Sequence, residues 1–238
     1  MNLLEKYLQG DTLHVYEEIE KLGLNAFNPA FYPIVEAVLT ETFNRVSYNL
    51  EIIYKELTNI NYCFNQQVKY DFEHPILKPL LNVECLLEKL DASVKPVGYV
   101  PLSLKLFYKI VGSCNFTWDY DLHPEIPWEG GDPIQIITIS DLLSELDDRE
   151  DNDFFHELGV SADYLHKDNI SGGEMYSIEI TKIPQVDSHF LNEEHNTTFI
   201  NYLRLAMANC GFSRGSKITD REDFTAFLQK VQPMLKKI

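Results

Sequence analysis

The chain has 238 residues, 45% hydrophobic and 12% aromatic, which is enough apolar side chain to bury a substantial core and excludes a disordered polymer. Its 37 acidic and 20 basic residues give a formal net charge of −17, a field that repels phosphate backbones and anionic lipid, so neither a nucleic acid nor a membrane surface is expected as a partner. A basic protein is the ligand class that such a field attracts, although the same charge also serves plain solubility.

The opening, MNLLEKYLQGDTLHVYEEIEK, has no basic leader ahead of an apolar run, and charges interrupt every later hydrophobic stretch short of the roughly 20 residues of a membrane span. The expectation is a cytoplasmic chain. LLEKYLQ predicts a short helix, and Asp11 and Thr12 predict the cap of a second helix that runs to about Leu22, where Gly23 and Asn25 stop it. From about Pro29 to Leu57, apolar residues including Val35, Val38, Leu39, Phe43, Val46, Leu50 and Ile53 recur at helical spacing, with Pro33 tolerable in the first turn. This is one long helix or two joined near Ser47.

The pattern weakens from Thr58 to His74, where NYCFNQQVKYDF reads as a short strand pair or an ordered loop. His74-Pro75 and Lys78-Pro79 interrupt before a helix from about Leu80 to Leu90. KPVGY makes a turn, so residues 1–95 read as a helical N-terminal part and 96–238 as a sheet-and-helix part of one continuous domain. Pro101 then leads the helix SLKLFYKIV, whose stripe of Leu104, Phe107, Tyr108 and Val111 ends at Gly112; Phe107, Tyr108 and Phe116 belong to the predicted core. DPIQIITI alternates as a strand does, Ser140 stands where it could cap the helix DLLSEL, and DDREDND marks a solvated loop.

Further on, ADYLHK and EMYSIEIT read as two strands of a hairpin around DNISGG. Thr197-Thr198 cap an amphipathic helix that Gly211 stops, and a last helix begins at Asp220. The fold class predicted is α+β, a small antiparallel sheet surrounded by helices with a mainly helical N-terminal part. Cys63, Cys85, Cys114 and Cys210 have no paired spacing and are expected to be reduced and mostly buried.

Two segments combine histidine with carboxylates. In SHFLNEEH, His189, Glu193, Glu194 and His195 have helical-looking spacings, yet Asn192 and the run Asn196 to Thr198 favour a loop that leads into a capped helix. WDYDLHPEIPWEGGD offers Asp119, Asp121, His123, Glu125, Glu129 and Asp132, enough oxygen ligands in number for a divalent cation, but it lacks the central glycine of a calcium loop and two prolines stiffen it. A solvated or partner-facing loop is favoured. The chain has no GxSxG elbow, no Walker loop and no GxGxxG loop, so no catalytic residue, metal ligand or cofactor is assigned.

What remains is a surface for binding protein. Trp118 and Trp128 offer desolvated contacts, unless the loop simply packs them onto the core, and Asp147, Asp148, Glu150 and Asp151 offer charge that speeds encounter with a basic partner. The alternative from another class is a metal-dependent hydrolase using the Asp119–Asp132 loop or the His189–His195 segment.

YVPLSLKLFYKIVGSCNF, from Tyr99 to Phe116, resembles the signature of the SUKH superfamily of Smi/Knr-like proteins, in which a proline-led helix with an aromatic pair is followed by a glycine turn and a sheet strand. DYLHKDNISGGEMYSIEI together with NEEHNTTFINYLRLAMANCGF is similar to a group of uncharacterised bacterial proteins that carry the same first motif. The first resemblance implies a compact α+β protein of a kind that includes many immunity proteins, which bind and neutralise toxins; a basic toxin domain is then the implied partner.

Overall fold

A computed structural model describes residues 2–65, 74–148 and 156–238. The expected solvated run thus keeps only its first residues, Asp147 and Asp148, and both are exposed; Glu150 and Asp151 lie outside the described residues.

The first helices follow the local signals. α1 (Leu3–Leu8) is closed by a capping box, in which the Asn2 side chain accepts from the Glu5 N–H at 2.9 Å and the Glu5 carboxylate accepts from the Asn2 N–H at 3.1 Å. α2 (Thr12–Leu22) begins after Asp11 as expected, but the Asp11 side chain makes no capping bond. α3 (Tyr32–Asn59) is one unbroken helix of 28 residues with Pro33 in its first turn. Nothing near Ser47 breaks it, because Val46, Leu50 and Ile53 continue the buried stripe and no glycine or second proline intervenes.

α4 (Val83–Val94) and α5 (Leu102–Ile110) follow, and α3 forms a central post packed by α1, α5, α8 (Phe199–Ala208) and α9 (Glu222–Val231). Phe107 on α5 is fully buried edge-on against Phe43 of α3 and Phe199 of α8, with ring centroids 6.1 and 5.5 Å away. Tyr108 and Phe116 are buried too. The C-terminal segment returns to α3, where the Asn49 side chain clips the Lys236 backbone with two bonds of 2.8 Å.

The sheet content divides into two antiparallel three-stranded sheets. One has the order β1 (Ile76–Leu77), β2 (Ser113–Asn115), β3 (Gln135–Ile136), with Cys114 opposite both Ile76 and Ile136. The other is β4 (Glu157–Ser161), β5 (Tyr176–Glu179), β6 (Phe190–Leu191). They meet where the Ile137 N–H donates to Val160 O at 2.9 Å. Gly112 makes the first sheet possible: its φ is +94°, and a Cβ there would stand 2.1 Å from Leu77 O.

Three sequence expectations are corrected. DPIQIITI is a strand only over Gln135–Ile136, because Pro133 bridges Phe212, Ile134 donates to Gly211 O and Ile137 crosses to the other sheet. The cap of α6 (Ile139–Asp147) is Thr138, whose hydroxyl accepts from the Asp141 N–H at 3.0 Å, and not Ser140. ADYLHK is not a strand: Asp163 accepts from the N–H groups of Leu165 and His166 and turns Tyr164–Lys167 into the short helix α7, so β5 pairs with β4 across a longer connection. Among the described residues, no helix is long and apolar enough to cross a membrane.

Candidate functional site

The loop between β2 and β3 is built in two halves. At its start, the Asn115 side chain accepts from the Thr117 N–H and hydroxyl at 3.1 and 2.6 Å, which bends the chain out of β2. Trp118 then bridges Phe64, flanked by bonds from Asn65 N to Thr117 O and from Asp119 N to Cys63 O. Its indole N–H closes the loop on itself by donating to His123 O at 2.6 Å.

Trp128, in the second half, is buried at 4% exposure among Phe212, Phe224 and Phe227, with centroids 5.0 to 5.1 Å away. Its indole N–H donates to the Asp223 carboxylate on α9 at 3.1 Å. The structure nevertheless brings the two tryptophans together. Tyr62 stands edge-on to Trp118 at 5.0 Å and tilted against Trp128 at 5.9 Å, and all three rings wall a single cleft of about 380 Å³ with Pro127 and Phe227. Trp118 is partly exposed and Trp128 forms the floor. Asp223 and Lys230 edge the cleft, Lys230 being paired with Glu56 at 2.6 Å.

Between the tryptophans, Asp121, Leu122, His123 and Glu125 face solvent, and Leu122 is 74% exposed. Asp147 and Asp148 end α6; earlier on the same helix, Glu145 and Asp141 border a second cleft of about 330 Å³, which Tyr120 and Thr117 of the Trp118 segment also line. The helix α6 and the start of the aromatic loop therefore border one common cleft.

The loop is fastened from beneath. Asp132 has φ +56° and is fully buried, with one carboxylate oxygen accepting from Lys167 Nζ at 2.6 Å and the other from Ser213 Oγ at 2.5 Å and the Tyr176 hydroxyl at 3.2 Å. Lys167 is itself buried, so the pair is shielded from water and ties the loop to α7, β5 and the segment after α8. Next to it, Asp168 accepts from the Gly130 N–H at 2.7 Å; burial, only partly offset by that bond, pushes its carboxyl up to about 6.

The two histidine-carboxylate segments do not assemble into a ligand set. Asp132 turns into the core while Asp121, His123, Glu125 and Glu129 point outward. In the other segment, Glu193 is buried and accepts from the ring and the backbone N–H of His195, and burial raises its carboxyl above the usual range, whereas His189 is exposed. Among the described residues, no group of three or more His, Cys, Asp and Glu could hold a metal ion. Cys114 and Cys210 are buried and free, Cys63 is partly covered and Cys85 is exposed.

The sequence reading named the tryptophans and the acidic run but missed Tyr62 and Phe227, which complete the cleft. Tyr62 sat in a stretch without periodicity. Phe227 carried a usable signal, since it shares a helical face with Phe224 and Val231. The chain matches no protein-family model, no curated protein and no solved structure.

Proposed function

We propose that the chain is a cytoplasmic protein-binding module of SUKH-like type, acting as an immunity protein that engages a basic toxin domain through the Trp118–Trp128 cleft and its acidic surroundings. The observation that carries this reading is the convergence of Trp118, Trp128 and Tyr62 on one open cleft beside an exposed acidic loop. The partly exposed Trp118 ring, backed by the buried Tyr62 and Trp128, supplies desolvated contact area at low entropic cost, and the surrounding carboxylates attract a basic partner. Asp147 and Asp148 add exposed charge at the end of α6, with Glu150 and Asp151 close behind them in sequence, within a chain whose net charge is −17.

The test is a paired affinity isolation from the native host at low salt, with the wild-type chain and with the triple variant Trp118→Ala, Asp121→Lys, Glu125→Lys. A basic protein retained by the first, lost from the second and released by salt supports the proposal. If the captured protein is a toxin, co-expression of the chain should restore growth and the triple variant should not. Identical retention by both chains, or only acidic captured proteins, contradicts it.

A further inference from the structure

A cavity of about 430 Å³ lies where α2 and α8 meet the segment that follows α9, and it shares no lining residue with the tryptophan cleft. Leu13, Met207, Ala208, Leu235 and Ile238 make its wall apolar. Gln232, the neutral polar side chain there, already donates its amide N–H to Ala208 O at 2.6 Å, so the wall offers the body of a ligand little but hydrocarbon. Leucine and methionine side chains adapt to the shape of a flexible chain.

The charges on the wall have one sign. Arg204, Lys236 and Lys237 complete the lining and no acidic side chain does, in a chain whose 37 acidic residues outnumber its 20 basic ones. Arg204 is occupied: its Nε donates to the Ile238 main-chain oxygen at 3.1 Å and its Nη1 to Asn201 at 2.6 Å, which offsets whatever negative charge that oxygen carries. The lysines are not occupied in this way. Lys236 lies over the Tyr48 ring at 4.2 Å, Lys237 reaches Gly10 O at 3.5 Å, and neither meets a carboxylate among the described residues. Both are exposed, and their flexible stems let the ammonium groups swing to a charge at the mouth of the cavity.

An apolar wall beside two cations without a carboxylate partner fits a hydrocarbon chain that ends in an anion. A cationic head is repelled, and an uncharged one leaves the lysines unmet. We infer that this cavity binds a medium-chain alkyl carboxylate, a fatty acid of about ten carbons given the cavity's volume. The chain lies along Leu13, Met207 and Leu235, and the carboxylate meets Lys236 and Lys237 at the mouth. The site is independent of the tryptophan cleft.

The probe is decanoate, titrated into the full chain below its micelle concentration and followed by the methionine methyl resonances. Saturable shifts of Met207 are expected at a dissociation constant of about 0.1 mM, with Met175, on the cleft beside α6, unmoved. Hexanoate, with a shorter chain, and decyltrimethylammonium, with the opposite charge, should each bind at least about tenfold more weakly. Combined Lys236→Gln and Lys237→Gln should weaken decanoate by about tenfold and flatten its salt dependence. Leu13→Asp, at a side chain already 53% exposed, puts a carboxylate on the wall and should weaken it by at least as much. All three side chains are exposed, so circular dichroism should stay unchanged; Trp118→Ala should leave binding intact. Phosphatidylglycerol vesicles that hold the chain when free decanoate does not would assign this face to a membrane instead. That result, absence of saturable Met207 shifts, equal affinity for decyltrimethylammonium, or wild-type affinity in both the lysine and the Leu13 variants would overturn the assignment.

Discussion

The Trp128 indole N–H donates to the Asp223 carboxylate across 95 residues of sequence, at 3.1 Å. This bond pins the second half of the β2–β3 loop to α9 and holds the floor of the aromatic cleft, while Trp118 stays partly exposed on a turn closed by its own bond to His123 O. The two tryptophans therefore do different work, and substitution should separate them.

Trp128→Ala removes a ring packed by three phenylalanines and is expected to cost about 3–5 kcal/mol of stability. Trp118→Ala should cost clearly less, on the order of 1–2 kcal/mol, because part of the ring already faces water. Urea unfolding of both variants checks the order; equal losses would place Trp118 in the core as well.

Asp132 and Lys167 form a buried pair in which neither side chain meets solvent. Asp132→Ala leaves the ammonium group unpaired and is expected to lose about 3–5 kcal/mol. Asp132→Asn should lose less, because asparagine tolerates the +56° φ and keeps an acceptor for Lys167. Thermal melts that rank Ala above Asn would refute the fastening role given to this pair.

Asp168 sets a pH dependence of definite sign. Its carboxyl titrates at about 6 in the folded chain against an ordinary value of 3.8, so the folded state holds the proton more tightly. The contribution to stability is therefore favourable below about pH 4 and is lost as the pH rises through 6. Asp168→Asn keeps an acceptor for Gly130 and should flatten this trend, gaining about 1–2 kcal/mol over the wild type at pH 7.5 relative to pH 4. Melting temperatures across that range provide the check; parallel curves for the two chains would contradict it.

Gly112→Ala would drive a Cβ to 2.1 Å from Leu77 O and force a left-handed φ on alanine, so β1 must leave β2. A loss of at least about 2 kcal/mol is expected, with faster amide exchange across β1 and β2. Wild-type exchange in these strands would show that the close approach can relax.

Most of the helices were legible because their information is local: the stripe from Val35 to Leu57, the proline-led helix ending at Gly112, and the stop at Gly211 each need only their own neighbours. The strands were harder, since β1, β3 and β6 are two residues long and exist through partners distant in sequence. ADYLHK misled because alternation resembled a strand while Asp163, one residue before the turn it caps, decided the outcome. The tryptophans could be named in advance, but their convergence depends on Tyr62 and on α9, which no spacing within the loop encodes. The Asp132 pairing was equally invisible, as its partners lie 35, 44 and 81 residues away.

The most direct test of the cleft as a binding surface is the kinetics of association with the basic protein isolated at low salt, measured over a range of ionic strength. Lysine substitutions at Asp121, Glu125, Asp147, Asp148, Glu150 and Asp151 should slow association and flatten its salt dependence, whereas Trp118→Ala should leave association nearly unchanged and speed dissociation by about tenfold or more. Association and dissociation rates indifferent to all of these changes, in variants that remain folded at the assay temperature, would contradict it.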